Sequence, residues 1–277
     1  QRLCAMVDKT NSKLLLAKER RLKTYQCDRY GFLRPVSLMN KLQGLAGTHA
    51  EMLGAGREVC ASQNIAWVMT HMFVDIPDIP RAEEILTYST WPSVTGPVRS
   101  ERDFLIKDEK GKVKLRAISQ WVLIDLHTRH PARISDYFPE WKGLPERVWD
   151  REFDKGLDFI PTKSCVIACR FDDIDVNQHV NNAVYTVWAT ESVGFEYRNA
   201  HKLRGIDLYF EHEIMPGTAK NAKAKIYKDE KILEKSLGEI CNDYQLYSEL
   251  CYLFRTFDLF KKKKKDYIDH QYVKNND

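Results

Sequence analysis

Hydrophobic and polar positions in the first half of the chain predict one amphipathic helix followed by several strands. Apolar residues recur at helical spacing from Leu38 to Leu53, which predicts a helix with one buried face. Strands are predicted at 66–76 and 84–91, and the stretch 104–126 has the pattern of a long hairpin that turns at 108–111. This part of the chain therefore predicts a helix packed on an antiparallel sheet.

The second half repeats the same order of elements. An extended segment is predicted at 164–171, a helix from Asn182 to about Tyr197, and strands at 205–214 and 222–228. Prolines at 131, 139 and 145 mark the linker between the halves. A buried helix wrapped by an antiparallel sheet is the hot-dog unit. We therefore predict an α+β fold with tandem hot-dog domains at 1–145 and 150–260, and a basic polar tail at 261–277.

Composition and charge exclude several classes of protein. The 277 residues are 43% apolar and 30% charged, as in folded globular proteins, and the formal charge of +4 is too small to indicate a nucleic-acid partner. No apolar stretch has the ~20 residues that a membrane span needs. The seven cysteines include no CxxC pair, so neither a disulfide framework nor a zinc site is predicted. Reduced thiols predict a cytoplasmic location.

Eight hydrogen-bonding side chains crowd into positions 172–182, directly before the second helix. Asp175, Asn177 and His179 alternate, so in an extended segment they would project to the same side. Asn181 and Asn182 are candidate N-caps for the helix, whose first N–H groups and positive dipole end would face the polar segment. Such an arrangement is suited to polarising a carbonyl group, and His179 could carry a proton near neutral pH.

Two other interpretations of this segment are less demanding. A calcium-binding loop is rejected, because Gln178 stands where the loop requires glycine and Val184 where it requires glutamate. The other interpretation is a capped helix with a solvated polar approach, since Asp and Asn cluster at helix starts for that reason alone. The residues by themselves do not decide between this interpretation and a catalytic segment.

The stretch DIDVNQHVNNAVYTVWATES (173–192) closely resembles the hallmark sequence of the acyl-acyl carrier protein thioesterases of plants and bacteria. Segments of the first half also resemble family landmarks, in the same order. They are LRPVSLMNKLQGLAGTHAEMLGAG (33–56), AWVMTHMFVDI (66–76), STWP (89–92), RDFLI (102–106) and WVLIDLHTRHPARI (121–134). The resemblance covers roughly residues 20 to 230. The stretch 251–260 matches the family loosely, and 230–250 matches it poorly.

The resemblance implies both an activity and a set of site residues. Members hydrolyse long- or medium-chain acyl thioesters of acyl carrier protein (ACP), which releases a free fatty acid and ends fatty acid synthesis. The implied catalytic residues are Asp175, Asn177, His179 and Glu213, with no cofactor and no metal. Ile214 stands where some members have cysteine, which implies that water is the nucleophile. An acyl-coenzyme A thioesterase and a non-catalytic acyl-binding protein are the alternatives.

Several other residues attract attention. His49 lies on the first predicted helix without the polar lead-in that surrounds His179, so we expect a structural role for it. Met69 and Met72 are expected in the core, where they could also line an acyl tunnel. The first half has no Asp-x-Asn-x-His segment before its helix, and we predict that it receives the acyl chain. Four basic residues could contact an acidic carrier protein: Arg99, Arg102, Arg170 and Lys202. A homodimer is left open.

Overall fold

The computed structural model describes residues 13–153, 163–210, 219–227 and 246–251. Its helices are α1 (Pro35–Met52), α2 (Arg57–Ser62), α3 (Ile134–Tyr137), α4 (Val184–Val193) and α5 (Phe195–Ala200). Its strands are β1 (Leu16–Arg21), β2 (Ile65–Asp75), β3 (Ile85–Thr95), β4 (Arg99–Asp108), β5 (Val113–Asp125), β6 (Lys163–Ala168), β7 (Leu203–Tyr209), β8 (Ala219–Tyr227) and β9 (Leu246–Cys251). None of the helices in these ranges has the length and apolar character to cross a membrane.

The strands form one sheet in which the two halves of the chain lie side by side. The strand order is β1-β3-β4-β5-β2-β7-β9-β8-β6, so the halves are not interleaved. They meet where β2 pairs antiparallel with β7, in register from His71 opposite Tyr209 to Asp75 opposite Gly205. Each half contributes one long helical segment, α1 or α4–α5. This is the predicted α+β arrangement of two helix-and-sheet units.

One strand pair differs from the predicted antiparallel pattern. β9 runs parallel to β7, whereas every other neighbouring pair in the sheet is antiparallel. In the first unit β5 lies between β4 and β2, and two antiparallel steps make β4 and β2 point the same way. Within the described ranges no strand lies between β9, the counterpart of β4, and β7. The absence of that intervening strand accounts for the parallel pair.

The two central helices differ in where they end and in how much of their surface is buried. α1 buries Leu38, Met39, Leu42, Leu45, Ala46 and His49, whereas Ala50 and Leu53 of the predicted face are only half-buried. α4 is buried on nearly all sides. The predicted helix from Asn182 to Tyr197 is interrupted at Gly194, whose φ of 88° lies in the left-handed region that glycine adopts without strain.

One hydrophobic cluster of the described residues contains side chains of both α1 and α4 and forms the core that the two helices share. It contains both Met69 and Met72 of the junction strand β2. Strict alternation would place side chains three residues apart on opposite faces. A β-bulge between Met69 and His71 shifts the register by one residue, so both methionines face the core.

The segment that links the two units packs on the opposite face of the sheet at the β2–β7 junction. The guanidinium of Arg151 donates two hydrogen bonds to the carboxylate of Asp207 on β7, at 2.9 and 2.7 Å. It also lies 3.9 Å from the ring centroid of Phe73 on β2. Asp207 is buried, so this ion pair holds the segment at Arg151 against β7, and the contact with Phe73 crosses the boundary between the halves.

We expect Arg151→Met to lower the free energy of unfolding by about 3 kcal/mol, because it leaves the buried Asp207 carboxylate without its main cation. Arg21→Met is the matched control, since Arg21 and Glu83 form a half-exposed pair at 3.7 Å. Such a surface pair contributes about 0–1 kcal/mol. Urea denaturation of both variants measures the difference. Equal losses would show that the Arg151–Asp207 pair has no special role.

Candidate active site

The polar segment before α4 forms a tight turn closed by a bridge between Ile174 and Val180. The N–H of Asp175 donates to the carbonyl of His179 at 2.8 Å, and the N–H of Gln178 donates to the carbonyl of Asp175 at 3.0 Å. Gln178 has φ of 64°. The prediction that 175, 177 and 179 lie along an extended strand is therefore wrong. The turn, rather than strand alternation, brings the Asp175 and Asn177 side chains into contact and returns the backbone of His179 to that of Asp175.

Asp175 holds this turn with its side chain. Its Oδ1 accepts a hydrogen bond from the backbone N–H of Asn177 at 2.8 Å, and its Oδ2 lies 3.4 Å from Nδ2 of Asn177. The first interaction is an Asx turn, in which a carboxylate replaces a backbone acceptor. Asp175 and His179 are half-buried and Asn177 is exposed.

Two more polar residues of the segment anchor the turn to its surroundings. Asp173 is fully buried and accepts hydrogen bonds from both the backbone and the guanidinium of Arg170. Burial raises the pKa of Asp173, but the hydrogen bonds and charge of Arg170 outweigh that effect and hold the pKa below its usual value. Asn181 Oδ1 accepts from the N–H of Ala183 at 2.8 Å, which forms an Asx turn just before α4, whose N-cap is Ala183. No side-chain cap from Asn182 is seen among the described hydrogen bonds.

The first unit contains the same turn before α1. Cys27 and Leu33 form the closing bridge, the N–H of Asp28 donates to the carbonyl of Phe32, and the N–H of Gly31 donates to the carbonyl of Asp28. Asp28 Oδ1 accepts from the backbone N–H groups of Tyr30 and Phe32, both at 2.9 Å. The first helix is therefore also preceded by this turn, although its sequence has no Asp-x-Asn-x-His segment there.

Comparing the two turns separates architecture from chemistry. Asp28 and Asp175 occupy the same place and perform the same backbone task. Tyr30 and Phe32 stand where the second turn has Asn177 and His179. Because the backbone forms equally well with aromatic side chains at those places, its geometry does not require an amide and an imidazole there. Asn177 and His179 are therefore the side chains of the turn that the backbone does not explain.

The other predicted site residues are distributed differently. Met69 and Met72 lie in the core, and Glu213 and Ile214 lie outside the described residues. In the part of the chain that the structure describes, His, Cys, Asp and Glu side chains form no group of three or more that could hold a metal ion. Sequence reasoning missed the Asp28 turn. The signal was present in the segment CDRYGF (27–32), which has an Asp three residues before a Gly.

His49 is buried and occupied by structural contacts. Its Nδ1 is 2.9 Å from Nη1 of Arg102, and its Nε2 is 2.8 Å from the carbonyl oxygen of Lys13. Since a guanidinium can only donate, Nδ1 accepts and Nε2–H donates. Burial is the main cause that lowers the pKa of His49 to about 4.

Of the four basic residues predicted to contact a carrier protein, Arg102 is buried and Arg170 is paired with Asp173. Only Arg99 and Lys202 of the four are exposed without a described ion pair.

Family models match most of the chain. The model of the acyl-ACP thioesterase N-terminal domain matches residues 14–140, and that of the acyl-ACP thioesterase C-terminal domain matches residues 162–248. The chain belongs to the acyl-ACP thioesterase family. The chain is 28% identical over 196 residues to the chloroplastic oleoyl-acyl carrier protein thioesterase 1 of Arabidopsis thaliana. The match covers 64% of this chain and 54% of the plant protein. The chain thus spans about half the length of the curated relatives that it matches.

Solved structures of other family members have the same fold. A crystal structure from Lactobacillus plantarum, provisionally named an oleoyl thioesterase, aligns with a TM-score of 0.68 at 26% identity and covers 78% of this chain and 86% of that chain. The 12:0-ACP thioesterase from Umbellularia californica aligns with a TM-score of 0.66 at 21% identity, over 79% of this chain and 87% of that chain. The predicted family and the predicted tandem hot-dog fold of α+β class are confirmed.

Proposed function

We propose that this protein hydrolyses the thioester of long- or medium-chain acyl-ACP, releasing a free fatty acid and ending fatty acid synthesis. The observation that supports this most strongly is the pair of equivalent turns. Only the second turn has an amide and an imidazole, Asn177 and His179, where the first has two aromatic rings. A chain of this family with such a turn before a buried helix is suited to polarising a thioester carbonyl.

The proposed mechanism assigns each residue a separate task. The thioester carbonyl rests near the start of α4, where the carboxamide of Asn177 and backbone N–H groups stabilise the oxyanion. Glu213, helped by His179, positions a water molecule and takes its proton as the water attacks the carbonyl carbon. The tetrahedral intermediate then collapses with cleavage of the carbon–sulfur bond, and the sulfur takes the proton that Glu213 accepted, so the carrier leaves as a thiol. Asp175 is a positioning residue that holds Asn177 and His179 in place through the turn.

The two units are proposed to divide binding from catalysis. Residues 150–260 would carry the chemistry, and residues 1–145 would receive the acyl chain. Met69 and Met72 face the core that both helices share, at the strand that joins the units. An acyl chain that extends from the turn into this core would meet side chains of the first unit. The names of relatives differ in chain length, oleoyl in one and 12:0 in another, so core side chains are candidates for setting it.

Enlarging Met72 to tryptophan is expected to shift product chain length towards shorter fatty acids, and Met69→Ala or Met72→Ala towards longer ones. Each methylene accommodated or refused changes binding by about 0.8 kcal/mol, or roughly fourfold. Chain-length analysis of the products, with the maximal rate measured in parallel, tests this. Phe73→Leu is the control, because Phe73 is buried on the opposite face of β2. Shifts that arise only from second-unit substitutions would place the acyl chain in the other unit.

Two alternative functions have specific tests. An acyl-coenzyme A thioesterase would differ in the carrier that it recognises, and a non-catalytic binder would hold the acyl chain without turnover. Steady-state hydrolysis of a panel of acyl chains on both carriers separates the three. We expect a higher kcat/KM for the ACP thioesters. A preference for coenzyme A would establish the first alternative, and tight binding without product would establish the second.

The same proposal names an acyl carrier protein as the partner and requires no cofactor. Whether the protein is a homodimer would be measured by sedimentation analysis. A cytoplasmic location is one proposal. The chloroplastic names of the curated relatives support an organelle as the other. Subcellular fractionation of the source cells would decide between them.

A further inference from the structure

Three cationic side chains from separate parts of the chain meet beside the first turn. The guanidinium of Arg29 lies over the rings of Tyr30 and Phe195, with centroid distances of 5.1 and 5.5 Å. The guanidinium of Arg81 and the ammonium of Lys202 lie over the ring of Phe32, at 4.7 and 5.4 Å. We refer to these six residues as the basic-aromatic surface.

Among the residues that the structure describes, the three cations of this surface have no carboxylate partner. Arg29, Arg81 and Lys202 are exposed, and none of them forms an ion pair with a carboxylate in the described ranges. Asp28 is next to Arg29 in the sequence, and its Oδ1 accepts two backbone N–H groups of the turn. Aromatic faces hold the cations in place without neutralising them. The positive charge is therefore available to an external anion.

Two aromatic rings of the surface are also largely exposed. Tyr30 is 48% exposed and Phe195 is 64% exposed. The hydroxyl group of Tyr30 bonds Asn199, which connects the first turn to α5 of the second unit. A rigid aromatic ring next to an unpaired cation suits the headgroup layer of a membrane, where the ring is accommodated at the interface and the cation meets a phosphate.

The corresponding segment of the second unit has the opposite charge. Around its turn, Arg170 is neutralised by the buried Asp173, and Asp172 and Asp175 add negative charge. The basic character thus belongs to the first turn and not to the shared backbone arrangement. A difference in charge between two otherwise equivalent turns indicates that the first one serves an electrostatic contact of its own.

We propose that the basic-aromatic surface docks the protein on a membrane surface that contains anionic lipids. The contact is peripheral. Phosphate groups of the lipid pair with Arg29, Arg81 and Lys202, and the rings of Tyr30 and Phe195 enter the headgroup layer. Anionic headgroups suit this surface better than an acidic protein does, because Arg29 lies over two exposed rings and bilayer phosphates need no fixed complementary shape. The proposal does not depend on the proposed hydrolase function.

Vesicle flotation of the full chain tests this proposal. Wild-type protein is expected to float with vesicles of phosphatidylcholine mixed with phosphatidylglycerol, and not with vesicles of phosphatidylcholine alone. Each basic residue near an anionic surface contributes roughly fivefold to partitioning, so Arg29→Gln, Arg81→Gln and Lys202→Gln together should weaken it on the order of 100-fold. Phe195→Ser should weaken it further. Hydrolysis of a small soluble acyl thioester that carries no carrier protein should be unchanged in the triple variant.

The control removes the same charge elsewhere. Arg57→Gln, Arg99→Gln and Arg133→Gln together replace three exposed cations outside the surface and should leave vesicle binding near the wild-type level. Three results would overturn the proposal: no binding of wild type to anionic vesicles, equal binding by the surface variant, or equal loss in the control variant. Loss of affinity for an acidic carrier protein, with vesicle binding retained, would assign the surface to a protein partner instead.

Discussion

Replacing His179 by alanine is expected to lower kcat on acyl-ACP by about 100- to 10,000-fold, the usual contribution of a well-placed proton carrier. Glu213→Ala should lower it by a similar factor, because it removes the proposed base. Folding should be intact in His179→Ala, since the first turn forms with Phe32 in the same place. Steady-state rates and the urea midpoint of each variant, compared with wild type, measure the two effects separately.

Phe32→Ala is the matched control for this substitution. It removes a ring from the equivalent place of the first turn, so it tests whether shortening a side chain there disturbs the fold. We expect Phe32→Ala to retain turnover close to wild type. Near-normal activity in His179→Ala or Glu213→Ala would contradict the catalytic role assigned to that residue. Replacement of any of the seven cysteines should leave the chemistry in place.

Asp175→Ala is expected to lower kcat by roughly 100-fold, and Asp175→Asn by only a few-fold. The alanine variant loses the acceptor that the N–H of Asn177 requires, and a displacement of about 1 Å at a reacting group can cost that factor. Asparagine retains a side-chain oxygen that closes the same Asx turn. Rescue by asparagine therefore identifies a positioning residue, whereas a general base would lose its function in both variants. Rates of both variants across the pH range make the distinction.

The first turn again provides the control for this pair of variants. Asp28→Ala removes the equivalent carboxylate, which accepts the N–H groups of Tyr30 and Phe32. It should lower stability without changing the pH profile of the remaining activity. If Asp175→Asn were as inactive as Asp175→Ala, the carboxylate charge itself would be required. The positioning role would then be wrong.

Much of the fold was predictable because its periodic signals are long. The helix at Leu38–Leu53, the strand at 66–76 and the hairpin at 104–126 each correspond to an element within a few residues. The bulge at Met69–His71 was not predictable, since nothing in strand alternation reveals an extra residue. The end of α4 could be anticipated only from Gly194, a single residue within an otherwise helical pattern.

The residues of the candidate site were predictable from the sequence, but their backbone conformation was not. The cluster of polar residues at 172–182 indicates a site, yet the alternation of 175, 177 and 179 indicates an extended strand. The turn depends on Gln178 adopting a positive φ, which its residue type does not favour, and on hydrogen bonds of the Asp175 side chain. The first turn was not predicted from the sequence, because Tyr30 and Phe32 give the segment no polar character. The proposed role of Arg102 at a carrier surface was wrong because a basic residue in a strand pattern does not reveal its burial.

The most direct test of the central claim is turnover of a long-chain acyl-ACP by the wild-type protein, with free thiol and free fatty acid measured in the same sample. The account predicts that both products appear in equal amounts and in large excess over enzyme, at a rate that collapses in His179→Ala. Stoichiometric binding of the acyl-ACP without thiol release, or equal turnover by wild type and His179→Ala, would contradict it.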